Sequence, residues 1–167
     1  EIAVQRMEEP GADGADDVEF LISTNPGESL KPLGRIASGG ELSRVMLAIK
    51  TVLADQDAIE TVIFDEIDTG ISGRTAQKVS EKLALIGRSR QVICITHLAQ
   101  LASMADSHYC IEKRAVDGST QTGIRLLDEQ ESVEELARIL GGAQITDAVI
   151  DNAREMKKLA QKFKAHR

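Results

Sequence analysis

A serine and two glycines stand at the start of a predicted helix, in the segment ASGGE. Glycine is the poorest helix former after proline, so two glycines at this place need a reason. Ser38 can act as the N-cap, and Gly39 and Gly40 leave the backbone N–H groups unobstructed. The positive end of the helix dipole favours an anion beside such N–H groups. The segment therefore predicts an anion site at the helix start.

Two predicted strands end in side chains that could act on a bound phosphate. The run TVIF (61–64) is followed by Asp65 and Glu66, and the run QVICIT (91–96) is followed by His97. An Asp at a strand tip can hold Mg²⁺ through water, and a neighbouring Glu can polarise an attacking water. A histidine can contact a terminal phosphate by donating from one ring nitrogen. Each feature is weak alone, because acidic residues often end strands at solvent and a single His is often structural.

The apolar pattern around these segments predicts an α/β fold. Apolar and polar residues alternate in DVEFLIST (17–24), which predicts a strand. The apolar runs at 61–64 and 91–96 predict buried strands. Helical spacing follows Gly39 and again follows Thr75, where Ala76, Val79, Leu83 and Ile86 are expected to form the apolar face of a second helix. The apolar face expected for the first helix consists of Leu42, Val45, Met46, Ile49, Val52 and Leu53. Strands that alternate with helices predict a mainly parallel sheet flanked by helices, with functional groups at the carboxyl ends of the strands.

The last third of the chain has a different pattern. Two polar strands flank a predicted hairpin turn at 117–118. The segment SVEE (132–135) predicts a capping box, and Gly141 predicts the end of the helix that follows it. Thr146 is expected to cap a C-terminal helix within 145–167.

Length and composition exclude several classes of protein. The 167 residues predict one domain, of which 1–16 are expected to be flexible. The net charge of −7 argues against a nucleic-acid surface over most of the domain. No apolar run approaches the roughly 18 residues of a membrane span. The two cysteines, Cys94 and Cys110, match no metal or redox spacing.

Taken together and in this order, the motifs resemble those of ABC-type ATPases. ASGGELSR resembles the signature motif, VIFDE the Walker B strand, IDTGISGRT the D-loop and ITH the switch histidine. From about Gly11 to the last helix, the flanking segments GADGADDVEFLISTNPGE, VICITHLAQLA and LARILGG further resemble the RecN family of bacterial DNA-repair proteins. That family is in the SMC-like branch of the ABC-type ATPases. Transporter signatures usually have Leu and Gln where this sequence has Ala37 and Glu41, which also favours the SMC-like branch.

The resemblance implies a role for each motif when two heads sandwich two ATP molecules. Asp65 is implied to bind Mg²⁺, Glu66 to position and polarise the hydrolytic water, and His97 to contact the γ-phosphate. The signature residues 38–41 are implied to reach the ATP held by the other head. Asp68, in the D-loop, is implied to communicate between the two sites.

The phosphate-cradling loop of such ATPases is missing from this sequence. The pattern G-x-x-x-x-G-K-[ST] does not occur, and GISGRT (70–75) has too few intervening residues and Arg74 in place of Lys. The resemblance implies a split head, whose N-terminal lobe carries the P-loop and is joined through a long coiled coil. With Glu1 in place of a start Met, we therefore expect a C-terminal lobe that has little ATPase activity alone. Gly39 and Gly40 are then expected to be exposed to solvent, at a site that a partner head would cover.

The same resemblance implies the partners and the cellular role. The partners are the N-terminal lobe of the same protein, a second head in a homodimer, and DNA bound by the full-length protein, with no membrane. The role is double-strand-break repair by recombination in the cytoplasm, at the nucleoid. The sequence itself contains no DNA-reading element.

Three other interpretations fit part of the sequence. The C-terminal lobe of another SMC-like ATPase would share the motif order, although the flanking segments favour the RecN family. A transporter nucleotide-binding domain would need a P-loop and a membrane partner. A non-catalytic interaction module derived from a decayed head would have no need for the intact Asp65, Glu66 and His97.

Overall fold

A computed structural model describes residues 1–23, 27–35, 38–53, 58–116, 119–142 and 144–166. The strands are β1 (Ile2–Gly11), β2 (Gly14–Ile22), β3 (Lys31–Pro32), β4 (Thr61–Phe64), β5 (Gln91–Cys94), β6 (Tyr109–Val116) and β7 (Ser119–Leu126). The α-helices are α1 (Gly39–Val52), α2 (Gly73–Ile86), α3 (Ala99–Ala102), α4 (Glu129–Gly141) and α5 (Asp147–Ala165).

The α/β class is confirmed, but the strands are not mainly parallel. β4 and β5 form a parallel pair in which Phe64 lies opposite Cys94, as expected, but the prediction that both strands are buried was wrong, because Ile63 and Ile93 are exposed on one face of the pair. β1, β2 and β3 form an antiparallel sheet, and β6 and β7 form an antiparallel hairpin. The acidic and proline-containing part of β1 hid its strand pattern, so β1 was not predicted. The single parallel pair still brings the residues after Phe64 and Cys94 to the same edge.

Two apolar clusters hold the helices. The first joins α1 and α2 to β4 and contains Leu47, Phe64, Ile67, Ala76, Val79, Leu83, Ile86 and Leu101. The second joins α3, α4 and α5 and contains Ala99, Ala102, Leu136, Ala137 and Ala153. Burial of such side chains from water is the main stabilising contribution to both clusters. The predicted apolar face of α2 is therefore confirmed.

The predicted apolar face of α1 is only partly covered. Leu47, outside that face, is buried, whereas Leu42, Met46, Ile49, Val52 and Leu53 are exposed. Helical spacing identifies an apolar stripe, but it does not say what covers the stripe.

The prediction of a capping box at SVEE was wrong. Helix α4 begins one turn earlier, where the Asp128 side chain accepts a hydrogen bond from the Glu131 amide and Glu131 reaches back to the Asp128 amide. Both tetrapeptides fit the sequence pattern of the motif, so the pattern alone does not choose between them. The helix ends at Gly141 as predicted, while the predicted turn at 117–118 lies outside the described residues. Thr146 is the N-cap of α5, without a side-chain capping bond.

Ser132 does not cap α4 and instead contacts His108, the residue that precedes β6. Ser132 is buried, and its Oγ lies 2.8 Å from Nδ1 of the half-buried His108. Burial lowers the pKa of His108 below its usual 6.5; the Glu135 carboxylate opposes this effect and Lys157 adds to it.

We expect mild acid to destabilise the fold through His108. Between the two pKa values the unfolded chain binds more protons than the folded chain, so the free energy of unfolding falls as the pH drops below about 6.5. His108→Asn should flatten this dependence in urea denaturation between roughly pH 7 and pH 5. His166→Asn, a change in an exposed ring at the end of α5, is the control and should retain the wild-type slope. Identical slopes for His108→Asn and wild type would contradict the expectation.

Candidate functional site

The turn that follows β4, residues 65–69, is the centre of the candidate site. Within it, Glu66 has a left-handed backbone with a φ of 56°. For a residue with a side chain this conformation costs about 1 kcal/mol, and it persists where surrounding contacts impose it. Asp65 accepts a 2.9 Å bond from the Glu66 amide through Oδ1, and the Glu66 carbonyl accepts a 3.0 Å bond from the Thr69 amide. The turn therefore holds the Asp-Glu pair in one defined conformation.

The start of α1 lies against this turn. Ser38 is the N-cap, as predicted: its Oγ accepts a 3.3 Å bond from the Glu41 amide, and its carbonyl accepts a 3.1 Å bond from the Leu42 amide. Gly39 is exposed as expected, but Gly40 is buried. The prediction that both glycines are exposed was therefore wrong for Gly40, because the turn covers it.

The two glycines are needed for different close contacts. A Cβ atom on Gly40 would lie 2.9 Å from the backbone carbonyl oxygens of Glu66 and Thr69. A Cβ atom on Gly39 would lie 2.5 Å from Oε2 of Glu66, which is the end of a flexible side chain. Gly40 thus permits the backbones to approach, and Gly39 leaves space for a carboxylate. A negative group at this position is favoured by the dipole of α1.

Two side chains of α1 fasten the turn to the helix. Ser43 Oγ donates a 3.0 Å bond to the Asp65 carbonyl. Arg44 Nη1 donates to the carbonyl oxygens of Ile67 and Thr69, at 3.1 and 2.8 Å. The sequence reasoning missed both residues, because their partners lie more than twenty positions further along the chain. Their only local signal is that polar side chains follow the glycines within an apolar helical pattern.

Asp68 connects the turn to the end of β5. It is buried, and its Oδ2 accepts bonds from Thr96 Oγ1 at 2.5 Å and from the His97 amide at 2.9 Å. Nδ1 of His97 lies 3.1 Å from the same oxygen, and the His97 side chain is 73% exposed. A ring that donates its Nδ1 proton to Asp68 keeps Nε2 for another group. The structure therefore brings Asp65, Glu66, Asp68 and His97 to one edge, together with the start of α1.

The Cys94 thiol, at the end of β5, is affected by the carboxylates of this edge. Burial raises the pKa of Cys94 to about 12, and the charges of Asp68 and Asp65 add to the effect. The thiol is therefore neutral and inert at ordinary pH. The surroundings favour positive charge near the two carboxylates.

The residues fit a magnesium ion that is bound together with a phosphate. Across the part of the chain that the structure describes, no three His, Cys, Asp or Glu side chains are grouped so that they could hold a metal by themselves. Mg²⁺ commonly takes one or two carboxylates and completes its shell with water and phosphate oxygens. Asp65 can supply such a carboxylate.

Similarity to known proteins agrees with the motif pattern. No protein-family model matches the chain. The chain is 49% identical over 153 residues to "DNA repair protein RecN" of Halalkalibacterium halodurans, which is 92% of the chain and 27% of that protein. It is 50% identical over 151 residues to "DNA repair protein RecN" of Bacillus subtilis, which is 90% of the chain and 26% of that protein. The sequence thus fits a RecN segment, and it spans about a quarter of the length of the curated relatives that it matches.

A solved structure shows a looser likeness. The chain from "Structural biochemistry of ATP-driven dimerization and DNA stimulated activation of SMC ATPases" superposes with a TM-score of 0.49 and 20% identity. The superposition covers 83% of this chain and 81% of that chain. A likeness at this level transfers no residue roles.

We expect Gly40→Ala to destabilise the chain by about 1–3 kcal/mol, because the added methyl meets two backbone carbonyls that cannot rotate away. Gly39→Ala is the matched control. Its close neighbour is a side-chain end that can move, and alanine is a better helix former by about 1 kcal/mol, so this variant should be neutral or slightly more stable. Urea denaturation of both variants measures the difference. Equal losses in the two variants would contradict the assigned contacts.

Proposed function

We propose that this chain is the C-terminal lobe of an ATPase head in a RecN-like DNA-repair protein. In this proposal, ATP and Mg²⁺ bind at the edge where the start of α1, the 65–69 turn and His97 meet. The observation that carries the proposal is the hydrogen-bonded turn itself. It joins the helix start, the Asp-Glu pair and the histidine through hydrogen bonds between residues that lie 22 to 29 positions apart in the sequence. The similarity to RecN proteins supports the same conclusion.

The proposed roles follow from the chemistry of each side chain. Asp65 holds Mg²⁺ together with water and phosphate oxygens. The Glu66 carboxylate orients and polarises the attacking water, and Nε2 of His97 contacts the γ-phosphate. Ser38 and its two following glycines, with Glu41 in the first turn, present the helix start to the phosphate of an opposing head. Glu66 has to turn away from Gly39 when a phosphate approaches that helix start, since both groups are negative.

We propose a more local role for Asp68 than direct signalling between two heads. Its buried carboxylate oxygen already accepts bonds from Thr96 and from the His97 backbone. Any coupling between the two ATP sites through Asp68 would therefore act by moving His97. Removal of the carboxylate would leave the His97 ring without its Nδ1 partner.

The exposed surface supports a large partner within the same head. The chain exposes 11,685 Å². A compact protein of the same mass exposes about 8,100 Å². Apolar side chains account for part of the excess. On the β1–β2 hairpin they are Ile2, Val4, Val18 and Phe20, on α1 they are Leu42, Met46 and Ile49, and on the β6–β7 hairpin they are Tyr109, Ile111, Ile124 and Leu126. We propose that the N-terminal lobe, which would carry the missing P-loop, covers part of this surface.

The remaining partners are a second copy of the head and DNA, both engaged by the full-length protein. In the described residues, none of the helices has the length and apolar character that a membrane crossing requires. The proposed location is the cytoplasm, at the nucleoid, where double-strand breaks are repaired by recombination.

In the full-length protein, Glu66→Gln should slow ATP hydrolysis by roughly a hundredfold or more, because the amide cannot polarise the water. ATP should then persist and hold the heads together, so light scattering should show a long-lived dimer with ATP. Ser38→Arg should have the opposite effect on pairing, since its long side chain would block the approach of the opposing head's phosphate to the helix start. Glu155→Gln and Ser107→Arg, at exposed positions elsewhere, are the matched controls. If Glu66→Gln pairs no better than wild type and hydrolyses ATP normally, Glu66 is not the base.

The chain by itself should hydrolyse ATP no faster than a buffer control, because its sequence lacks the loop that cradles the phosphates. Phosphate release from the purified chain, with and without Mg²⁺, measures this directly. Turnover that Glu66→Gln abolishes in the isolated chain would show that no P-loop is needed, and it would contradict the two-lobe assignment.

A further inference from the structure

We infer that Arg44 is a positioning residue for Glu66, and that Arg44 acts through the backbone of the 65–69 turn rather than on the reacting atoms. The inference rests on the proposed function, in which Glu66 polarises the attacking water. Neither the motif pattern nor the similarity to RecN proteins assigns a role to Arg44.

The first support is the hydrogen bonding of the turn. Two of the five carbonyl groups of the turn accept from nearby backbone amides: Glu66 accepts from the Thr69 amide at 3.0 Å, and Asp68 accepts from the Ile71 amide, just after the turn, at 3.3 Å. The other three carbonyl groups accept from α1, the first of them from Ser43 and the last two from Arg44. Arg44 therefore bonds on both sides of Asp68 and closes the turn behind Glu66.

The second support is the shape of the arginine side chain. A single nitrogen, Nη1, donates to two carbonyl oxygens two residues apart. This nitrogen carries two N–H bonds in a fixed plane, which a guanidinium provides without losing charge. Nη1 would also lie 2.9 Å from a Cβ atom on Gly40, so the absence of a side chain at Gly40 gives Arg44 its path to the turn. Gly40 and Arg44 thus serve the same contact.

The third support is the backbone of Glu66. A left-handed φ of 56° is uncommon for glutamate and needs neighbouring contacts to impose it. When the Arg44 donors are removed, the Ile67 and Thr69 carbonyls lose these bonds and the turn can relax towards commoner backbone angles. The backbone that carries Glu66 then shifts, so its carboxylate is no longer aimed at the attacking water. A shift on the order of 1 Å at a catalytic group is enough to lower a rate by roughly a hundredfold.

The test compares Arg44→Ala, Arg44→Lys and Arg154→Ala in the full-length protein by steady-state ATP hydrolysis. Arg44→Ala should lower kcat by roughly ten- to a hundredfold while KM for ATP stays within about threefold, because binding groups are unchanged. Arg44→Lys should recover part of kcat, since its ammonium group can still donate to a carbonyl. Arg154→Ala, which removes an exposed ion pair with Asp151, should match wild type. A rise in KM with kcat unchanged would overturn the inference.

A double variant separates positioning from general destabilisation. If Arg44 acts through Glu66, Arg44→Ala should slow a Glu66→Gln protein by less than about twofold in single-turnover measurements. If the two losses multiply, Arg44 acts independently of Glu66 and the inference is wrong.

Hydrogen exchange tests the turn without relying on activity. The Thr69 amide donates to the Glu66 carbonyl, so its exchange reports on the closed turn. Arg44→Ala should speed exchange at Thr69 by about tenfold or more, while Arg154→Ala should leave it unchanged. If the wild-type protein hydrolyses no ATP, the proposed function fails but this measurement still decides whether Arg44 holds the turn. Unchanged exchange at Thr69 in Arg44→Ala would overturn the inference.

Discussion

The close approach of two backbones, the start of α1 and the turn after β4, is the constraint on which the site depends. Carbonyl oxygens of the turn come so near Gly40 that any Cβ atom there would meet them at 2.9 Å. Backbone carbonyl groups need hydrogen-bond donors, from the protein or from water. Ser43 and Arg44 provide those donors from the next helical turn. Gly40 and Arg44 thus serve the same contact: Gly40 has no side chain that would obstruct the turn, and Arg44 donates hydrogen bonds to two of its carbonyl oxygens.

The same crossing sets the electrostatics of the edge. Asp65, Glu66 and Asp68 place three carboxyl groups within four residues, and burial raises the pKa of Cys94, with the charges of Asp68 and Asp65 adding to the effect. Arg44 and the dipole of α1 are the nearby positive contributions. A bare phosphate would therefore meet repulsion from the carboxylates as well as attraction from the helix start. A divalent cation between carboxylate and phosphate removes this conflict, which is why the donor set favours phosphate bound with Mg²⁺ over phosphate alone.

The parts of this arrangement that depend on local sequence could be predicted, and the parts that depend on long-range contact could not. The N-cap at Ser38, the strands β4 and β5, and the buried face of α2 follow from hydroxyl placement and apolar spacing. To predict the burial of Gly40 and the hydrogen bonds of Arg44, one would have to know which residues pack on α1. One of them, Thr69, lies 25 residues after Arg44 in the sequence. The ties of Asp68 to the end of β5 span a similar separation, 29 residues to His97. Apolar periodicity describes a single helix or strand and carries no information about its distant contacts. It therefore identified the apolar stripe on α1 but could not show that the stripe is exposed.

Two adjacent glycines at a helix start therefore have two different physical explanations. Gly40 is required by the fold, because a backbone lies where its side chain would be. Gly39 leaves room for an anion, because the group at its bare face is the Glu66 carboxylate, which lies beside the positive end of the helix. A phosphate oxygen carries the same sign as that carboxylate and suits the same place. The two anions repel each other, so a phosphate that reaches the helix start would displace the Glu66 side chain. The left-handed backbone of Glu66, fixed by the turn, would remain in place while its carboxylate turns away from the helix start.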